Sequence, residues 1–391
     1  MREGWEIKKL TDVALVQTGK HDANHADING KYRFFTCAYT PLLSNTKRFE
    51  GKCLILPGNG ANVGEVFYYD GEFDAYQRTY VINEIKIYER FLYYHMKYSW
   101  RDLNLNKQFG SATNFLKIGN FKDYEVSLPK AKEQKEIVSI LDDAFASIDK
   151  AKANIERNIE NAKELFQSKL NEIFSQTGKG WENLKIIDLC SHKSQIVGGP
   201  FGSNLKVIDY KESGVPILRL QNIGKGFFID KAIKFISKEK AEELAYHSFK
   251  SGDIVLAKLG IPIGKTCIVP STFEYGIVVA DVVRIRPNKE KITYTFLKHF
   301  LNSDCSVNQL SSEITGSTRP RVNIAEVRNL KISVPSLSKQ KNVAGLIDDF
   351  ENLRNLQIGV YEKELANLEE LKKTILQKAF SGELTNKSAA A

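Results

Sequence analysis

Val126-Ser127-Leu128-Pro129 leads into Glu133-Gln134-Lys135-Glu136-Ile137 and Leu141-Asp142-Asp143; 206 positions later Ile332-Ser333-Val334-Pro335 leads into Lys339-Gln340-Lys341-Asn342-Val343 and Ile347-Asp348-Asp349. No gap separates the two phrases. The register holds forward to Phe174-Ser175 and Phe380-Ser381, and backward to Gly110-Ser111 and Gly316-Ser317. Two copies of this length are a duplicated domain, because a solenoid needs short units repeated at least three times. Duplication within one chain implies an approximate internal two-fold.

Each copy opens on a shared phrase as well. Gly4-Trp5-Glu6 with Leu10, Asp12 and Val13 returns 176 positions later as Gly180-Trp181-Glu182 with Ile186, Asp188 and Leu189. The smaller offset means that the second copy carries extra residues in its middle. Residues 1–125 and 180–330 hold nearly all the Gly and Pro and alternate turn signals with β-rich runs such as Lys52-Cys53-Leu54-Ile55-Leu56 and Asp253-Ile254-Val255-Leu256. These parts read as mixed, strand-rich globular domains. Trp5 and Trp181 read as anchors packing each domain start onto its core rather than as base-stacking platforms.

From Lys130 to Thr177 there is neither Pro nor Gly, and within 334–381 only Gly345 and Gly359 interrupt a run rich in Glu, Lys, Leu and Ala after Pro335. Ile137, Leu141, Ala144, Ile148, Ala151 and Ile155 recur at alternating steps of four and three, and Ile159, Ala162, Phe166, Leu170 and Ile173 continue the stripe. The second segment offers Val343, Ile347, Phe350, Leu353, Leu356 and Val360, then Leu365, Leu368, Leu371, Ile375 and Ala379. Each helix spans about 60 Å at the usual rise per residue. Single apolar stripes of this length need a partner, and the internal two-fold makes the pair antiparallel. The expected fold class is therefore α/β in the mixed α+β sense, with two globular domains separated by a pair of long coiled-coil helices. The expected division is 1–128, 129–178, 180–333 and 334–381, with a tail at 382–391.

The 391 residues carry a net charge of +9, which permits an anionic partner without naming one. The start lacks a signal-peptide stretch, and the most apolar run, Tyr275 to Val283, is short and contains Asp281. Five scattered cysteines form no Cys-x-x-Cys pair, so no disulfide framework or zinc knuckle is indicated. A cytoplasmic location with no membrane contact is expected.

The duplicated helix starts, the duplicated Gly-Trp-Glu starts and the ending Phe380-Ser381-Gly382-Glu383-Leu384 together resemble the specificity subunits of type I restriction-modification enzymes, over almost the entire chain. The resemblance implies a non-catalytic subunit that reads an asymmetric, bipartite site on double-stranded DNA, one half per domain. The helices would set the spacer and dock two methyltransferase subunits, and motor-nuclease restriction subunits would complete the complex. It also implies that S-adenosylmethionine, ATP and magnesium belong to the partners, with no cofactor on this chain. Fixed half-site spacing is what two readers on a rigid spacer impose, since about 10 base pairs make one turn. A subunit of a related restriction or methylation assembly, a structural coiled-coil adaptor, and an enzyme with an unrecognised site stay open as alternatives.

Base reading needs Arg or Lys for guanine and Asn or Gln for adenine, with small hydroxyls and backbone N–H groups for phosphate. Such residues cluster on Gly-rich loops. In the first domain they are Asn59 and Asn62, Gln77 and Arg78, and Lys107, Ser111, Thr113 and Asn114; in the second they are Ser203 and Asn204, Arg219, Gln221 and Asn222, Lys258, and Ser317, Arg319 and Arg321. Taken singly, each also reads as an ordinary turn residue. Equivalent loops before the helices carry Asn114-Phe115 in one copy and Pro320-Arg321 in the other, so the two halves should read different bases.

Enzyme signatures are missing from the sequence. None of the ten prolines adjoins another, which removes the Asn/Asp-Pro-Pro-Tyr/Phe phrase of adenine methyltransferases. Gly260-Ile261-Pro262-Ile263-Gly264-Lys265-Thr266 has three residues between its glycines where a P-loop needs four, so it reads as a hairpin turn. His21 and His25 have a metal-binding spacing if helical, but Asn24 and the following Asp-Ile-Asn-Gly favour a polar loop and no metal is expected. No nucleophilic triad is identifiable.

Overall fold

The computed structural model describes residues 4–104, 114–176, 179–312 and 321–385. The first globular copy runs β1 (Glu6–Lys9), α1 (Leu10–Val13), β2 (Leu15–Thr18), β3 (Tyr32–Phe35), β4 (Leu42–Ser44), β5 (Lys52–Pro57), β6 (Phe67–Asp70), β7 (Phe73–Ala75), β8 (Thr79–Asn83), α2 (Glu89–Asn104), α3 (Ile118–Lys122) and β9 (Glu125–Leu128), before the long helix α4 (Ala131–Ser175). The second copy runs β10 (Glu182–Lys185), β11 (Ile196–Gly198), β12 (Val215–Leu218), β13 (Lys234–Ile236), α5 (Lys238–Glu243), β14 (Ser248–Lys250), β15 (Ile254–Ala257), β16 (Thr266–Ile268), β17 (Tyr275–Val278), β18 (Val282–Ile285), α6 (Tyr294–Leu301), α7 (Asp304–Ser312), α8 (Ile324–Asn329) and β19 (Lys331–Val334), before α9 (Leu337–Ser381).

The chain forms two compact units, Met1–Glu156 with Glu362–Ala391, and Arg157–Tyr361. Each unit thus combines one globular copy with a portion of both long helices. Their sheets have the same plan. In the first unit the strand orders are β2-β8-β5-β6 and β4-β3-β7, and in the second β11-β18-β15-β16 and β13-β12-β17-β14. The parallel pair β3·β7 corresponds to β12·β17. The extra residues of the second copy supply α5, while β14 lengthens a pairing that the first copy makes as the single bridge Phe49↔Phe73.

The signature phrases are the two sides of one ribbon. β1 pairs antiparallel with β9 in the register Glu6↔Leu128, and β10 pairs with β19 in the register Glu182↔Val334. Trp5 lies edge-on to Phe91 in the first core, and Trp181 packs half-buried against the second.

The repeated Gln and Asp fasten helix to domain. Gln134 Nε2 donates to Pro129 O at 2.8 Å and its Oε1 accepts the Tyr88 N–H at 3.1 Å. Gln340 repeats this with Pro335 O and Thr293 N, both at 2.8 Å. Both glutamines are buried. Asp142 is held by Arg90 and the Tyr94 hydroxyl, and Asp348 by His299 at 2.8 Å. A side chain that satisfies two buried backbone groups at once is stringently specified, which accounts for the recurrence of these letters.

Within the first unit α4 and α9 run antiparallel: Lys152 pairs with Glu369 at 2.8 Å and Lys372 with Asp149 at 2.5 Å. Phe380 meets Phe91, His95 and Tyr98 with centroids 5.6, 5.1 and 5.4 Å apart. Gly382, at φ 82°, ends the helix, and Leu384 N–H reaches back to Lys378 O at 3.1 Å. In the second unit Phe174 plays the matching part against Phe296 and Phe300. Burying a Phe this fully contributes about 2–3 kcal/mol.

The expected stripe of α4 faces inward. That of α9 is corrected in its centre: Phe350, Leu353, Leu356 and Val360 are exposed, as is Leu371. The inward face in the second unit is Ile347, Glu351, Arg354, Ile358 and Tyr361, and in the first unit Leu365, Leu368, Lys372, Ile375 and Ala379. This is an unbroken alternation of four and three with charges in it. Arg354 is tolerated because it pairs with Glu351 at 3.2 Å and lies over the Phe166 ring at 4.2 Å. The apolar letters nearby belong to an adjacent, solvent-facing stripe.

Candidate nucleic-acid interface

Three backbone hydrogen bonds build the same cleft in each unit. Gly19 N donates to Thr79 O, Gly58 N to Arg78 O and Leu116 N to Gly58 O; in the second copy Gly199 N donates to Val282 O, Lys258 N to Asp281 O and Val322 N to Lys258 O. The bridges Asn59↔Phe115 and Leu259↔Arg321 extend the correspondence. Both glycines at the first position are obligatory. A Cβ on Gly19 would lie 1.8 Å from Ala75 O, and one on Gly199 2.0 Å from the Val279 carbonyl carbon.

The clefts have volumes of about 850 Å³ in the first unit and 720 Å³ in the second. Equivalent backbone positions carry different chemistry. Gly58 answers to Lys258, Arg78 to Asp281, Phe115 to Arg321 and Lys117 to Asn323. One fold therefore presents two unlike arrays of donors and acceptors, which is what sequence reading on two different half-sites demands.

In the second cleft Arg321 is ion-paired with Asp281, and the Lys258 amine lies 3.6 Å from where a Cβ on Gly198 would sit. Burial lowers the Lys258 pKa, the Arg321 charge lowers it further, and Asp281 opposes both. Lys258, Arg321 and Arg328 line this cleft and the Asp281 carboxylate pairs with Arg321, an excess of donors of the kind that suits an acceptor such as guanine O6/N7 or a phosphate oxygen. His247 Nδ1 contacts Gly198 O at 2.7 Å and helps shape this wall.

In the first cleft Gln77 and Arg78 are exposed on the β7–β8 turn. Gln77 is steadied by Asp22, with Nε2 to Oδ2 at 3.2 Å. Asn59 sits in the strand-like bridge, Asn114 accepts the Gly60 N–H on its carbonyl and keeps its side chain exposed, and Asn62 donates to Cys37 O at 2.8 Å, which pins its loop.

The fold brings Gln77 and Arg78 to the wall of one cleft and Lys258 and Arg321 to the wall of the other, while Asn59 and Asn114 adjoin the first cleft's Gly58 and Phe115 without lining it. Ser203 and Asn204 are exposed on the loop that leaves the second cleft through Gly202. Arg219, Gln221 and Asn222 stand apart, on a turn after β12. Asn222 is fully buried, its Oδ1 accepting from Arg219 N at 3.0 Å and its Nδ2 donating to Ile229 O and Lys231 O at 3.2 and 3.1 Å. The Arg219 guanidinium donates to Ala232 O. Those two side chains hold a loop shape, and Gln221 stays exposed. Lys107, Ser111, Thr113, Ser317 and Arg319 lie outside the described residues.

The clefts also contain residues that lie outside the Gly-rich loops or that polarity does not mark: Gln17, Thr18, Phe115 and Lys117 in the first unit, and Tyr246, His247 and Arg328 in the second. The 206-residue register, carried one step further, would have paired Lys117 with Asn323. The Gly260–Lys265 segment links β15 to β16, an antiparallel hairpin as expected. No helix among the described residues is long and apolar enough to cross a membrane.

A family model described as the type I restriction modification DNA specificity domain matches residues 2–161 and 178–363. The chain is 27% identical to the type I restriction enzyme EcoDI specificity subunit of Escherichia coli, over 97% of this chain and 89% of that protein. It is 26% identical to the MjaVIII specificity subunit of Methanocaldococcus jannaschii, over 99% and 94%. Among solved structures, a chain from work on assembly and conformational transition of the type I R-M system superposes with a TM-score of 0.75 at 16% identity, covering 97% of this chain and 98% of that one. The HsdS subunit of Thermoanaerobacter tengcongensis gives 0.53 at 15% identity, covering 98% of each. At these identities the two structures speak for the fold.

Proposed function

Because the chain belongs to the family of type I restriction-modification DNA specificity subunits, we propose that its two clefts read the two unlike halves of a split, asymmetric DNA target. The role of the chain is DNA recognition with two domains. The observation that carries the finer reading is the pair of clefts built on matching backbone hydrogen bonds but lined by Gly58, Arg78 and Phe115 in one and by Lys258 and Arg321, the latter paired with Asp281, in the other.

Under this reading bond making and breaking belong to partner subunits: methyl transfer to adenine from S-adenosylmethionine by two methyltransferase subunits, and ATP- and magnesium-dependent cutting by motor-nuclease subunits. The chain contributes position. Both α4 and α9 contribute to both units, which suits them to fix a spacer between half-sites. The exposed stripe of Leu346, Phe350, Leu353, Leu356 and Val360 suits a helical methyltransferase partner, since an apolar stripe of four turns is a docking surface more than a solvated one.

Mapping modified bases in genomic DNA from cells with and without the chain, with the partner methyltransferase kept in both, tests the assignment. Loss of methyladenine at one split motif on removal of the chain supports it, and an unchanged map refutes it.

A further inference from the structure

The polar residues of the second cleft leave one of its side chains unexplained. Phe201 lines the same wall as Lys258 and Arg321, yet it is 84% exposed. Among the described residues no aromatic ring packs against it and no cation lies over it, whereas Tyr246 on the same cleft lies edge-on to His247 at 5.3 Å. A phenylalanine ring gains stability by leaving water, and this one forgoes that gain within the folded chain.

The backbone beneath the ring is held on both sides. Gly199 N–H donates to Val282 O at 3.0 Å, and a Cβ on Gly199 would strike the Val279 carbonyl, so the chain enters the loop along one path. Pro200 then restricts φ. Beyond the ring, Phe201 O accepts the Asn204 N–H at 2.8 Å and closes a turn over Gly202 and Ser203. An apolar side chain on a backbone fixed in this way is presented outward, with little main-chain entropy left to lose when something covers it.

The neighbours of the ring identify what covers it. Lys258, Arg321 and Arg328 offer donors to the acceptors of a DNA groove. On the major-groove edge of a base pair the apolar group is the C5-methyl of thymine, and Phe is among the side chains that pack on it. Entry into the minor groove would instead require the ring to unstack a base step, so the major-groove contact is the less costly one.

Resting on the reading of each cleft as the reader of one half-site, we propose that Phe201 recognises the C5-methyl group of a thymine in the half read by the second unit, beside the acceptors met by Lys258 and Arg321. The contact belongs to that half. In the first copy His21 stands two residues after Gly19, as Phe201 does after Gly199, and its ring is already stacked on His25 with centroids 3.7 Å apart.

The test uses the assembled methyltransferase and duplexes carrying its mapped target. Deoxyuridine replaces each thymidine of the target and its flanking base pairs in turn, on both strands, and fluorescence anisotropy at one fixed salt concentration gives the affinities. In the half altered by Arg321→Gln, one replacement should weaken binding about fourfold, the worth of one methyl group removed from water. Phe201→Ala should melt at an unchanged temperature, bind the unsubstituted target more weakly and bind that deoxyuridine duplex equally well; Phe201→Leu, which keeps an apolar side chain, should retain part of the difference. The contact is overturned by a half without a sensitive thymidine, by a fourfold loss that persists in Phe201→Ala, or by a Phe201-dependent thymidine in the other half. Each of these leaves discrimination between target and scrambled duplexes, and so the half-site reading, in place. Equal binding of target and scrambled duplexes refutes that reading and the contact with it, and loss of methyltransferase co-purification in Phe201→Ala would assign the ring to a protein partner instead.

Discussion

Arg321 is ion-paired with Asp281 at the second cleft, while in the first copy Phe115 stands in the place of Arg321 and Arg78 in the place of Asp281. The pair is largely open to solvent, with side chains 57% and 29% exposed. Its contribution to folding is small, about 0–1 kcal/mol for exposed pairs, so its value lies in what the guanidinium can meet. Arg321→Ala should leave the melting temperature nearly unchanged while costing about 1–3 kcal/mol of discrimination at one base position. Fluorescence anisotropy of the assembled methyltransferase on target and single-base variants, at one fixed salt concentration, measures both affinities.

The glutamine clamps are structural. Gln340→Ala leaves the Thr293 N–H and Pro335 carbonyl without their partner, and buried groups left so cost about 1–3 kcal/mol each. Urea unfolding of the chain should show the midpoint fall, and Gln134→Ala should act likewise through Tyr88 and Pro129.

Acid should loosen the first unit through His95. Burial drives its pKa down to about 4 from the ordinary 6.5. Its neutral form suits the site, with Nε2 accepting the Ser127 N–H at 3.1 Å while Nδ1 meets the Tyr124 hydroxyl at 2.8 Å. The unfolded chain binds this proton more readily, so stability is complete above pH 6.5, falls between 6.5 and 4, and levels off below. The full loss is about 3 kcal/mol. Unfolding free energies measured across that window should decline, and His95→Gln should flatten the slope.

Legibility followed the physics of each position. The repeat was plain because Gln134 and Gln340, or Asp142 and Asp348, each serve several neighbours and leave little freedom of choice. The seam of α9 was misplaced because Glu351 and Arg354 occupy inward positions, and polarity alone assigned them outward. Glycine-rich loops did mark the clefts, yet Asn222 shared their polar character while being buried as a brace. Lys117 and Thr18 line one cleft from stretches about a hundred residues apart, and Asp74 reaches His21 across some fifty residues of chain, which no local window contains.

Leu353 and Leu356 are 62% and 69% exposed on α9, so Leu353→Glu with Leu356→Glu should leave the chain folded, as surface changes usually stay within about 0.5 kcal/mol. Methyltransferase co-purification by size-exclusion chromatography should nonetheless fall sharply. Undiminished complex formation would place the docking surface elsewhere.

The central claim is that each cleft reads its own half of the target. Methyladenine mapping in cells that carry the partner methyltransferase with either the Arg78→Gln or the Arg321→Gln chain tests it most directly. The account predicts that each substitution alters or broadens one half of the split motif, a different half for each, with the other half and the spacer unchanged. Changes in the same half from both substitutions, or an unaltered motif from both, would contradict it.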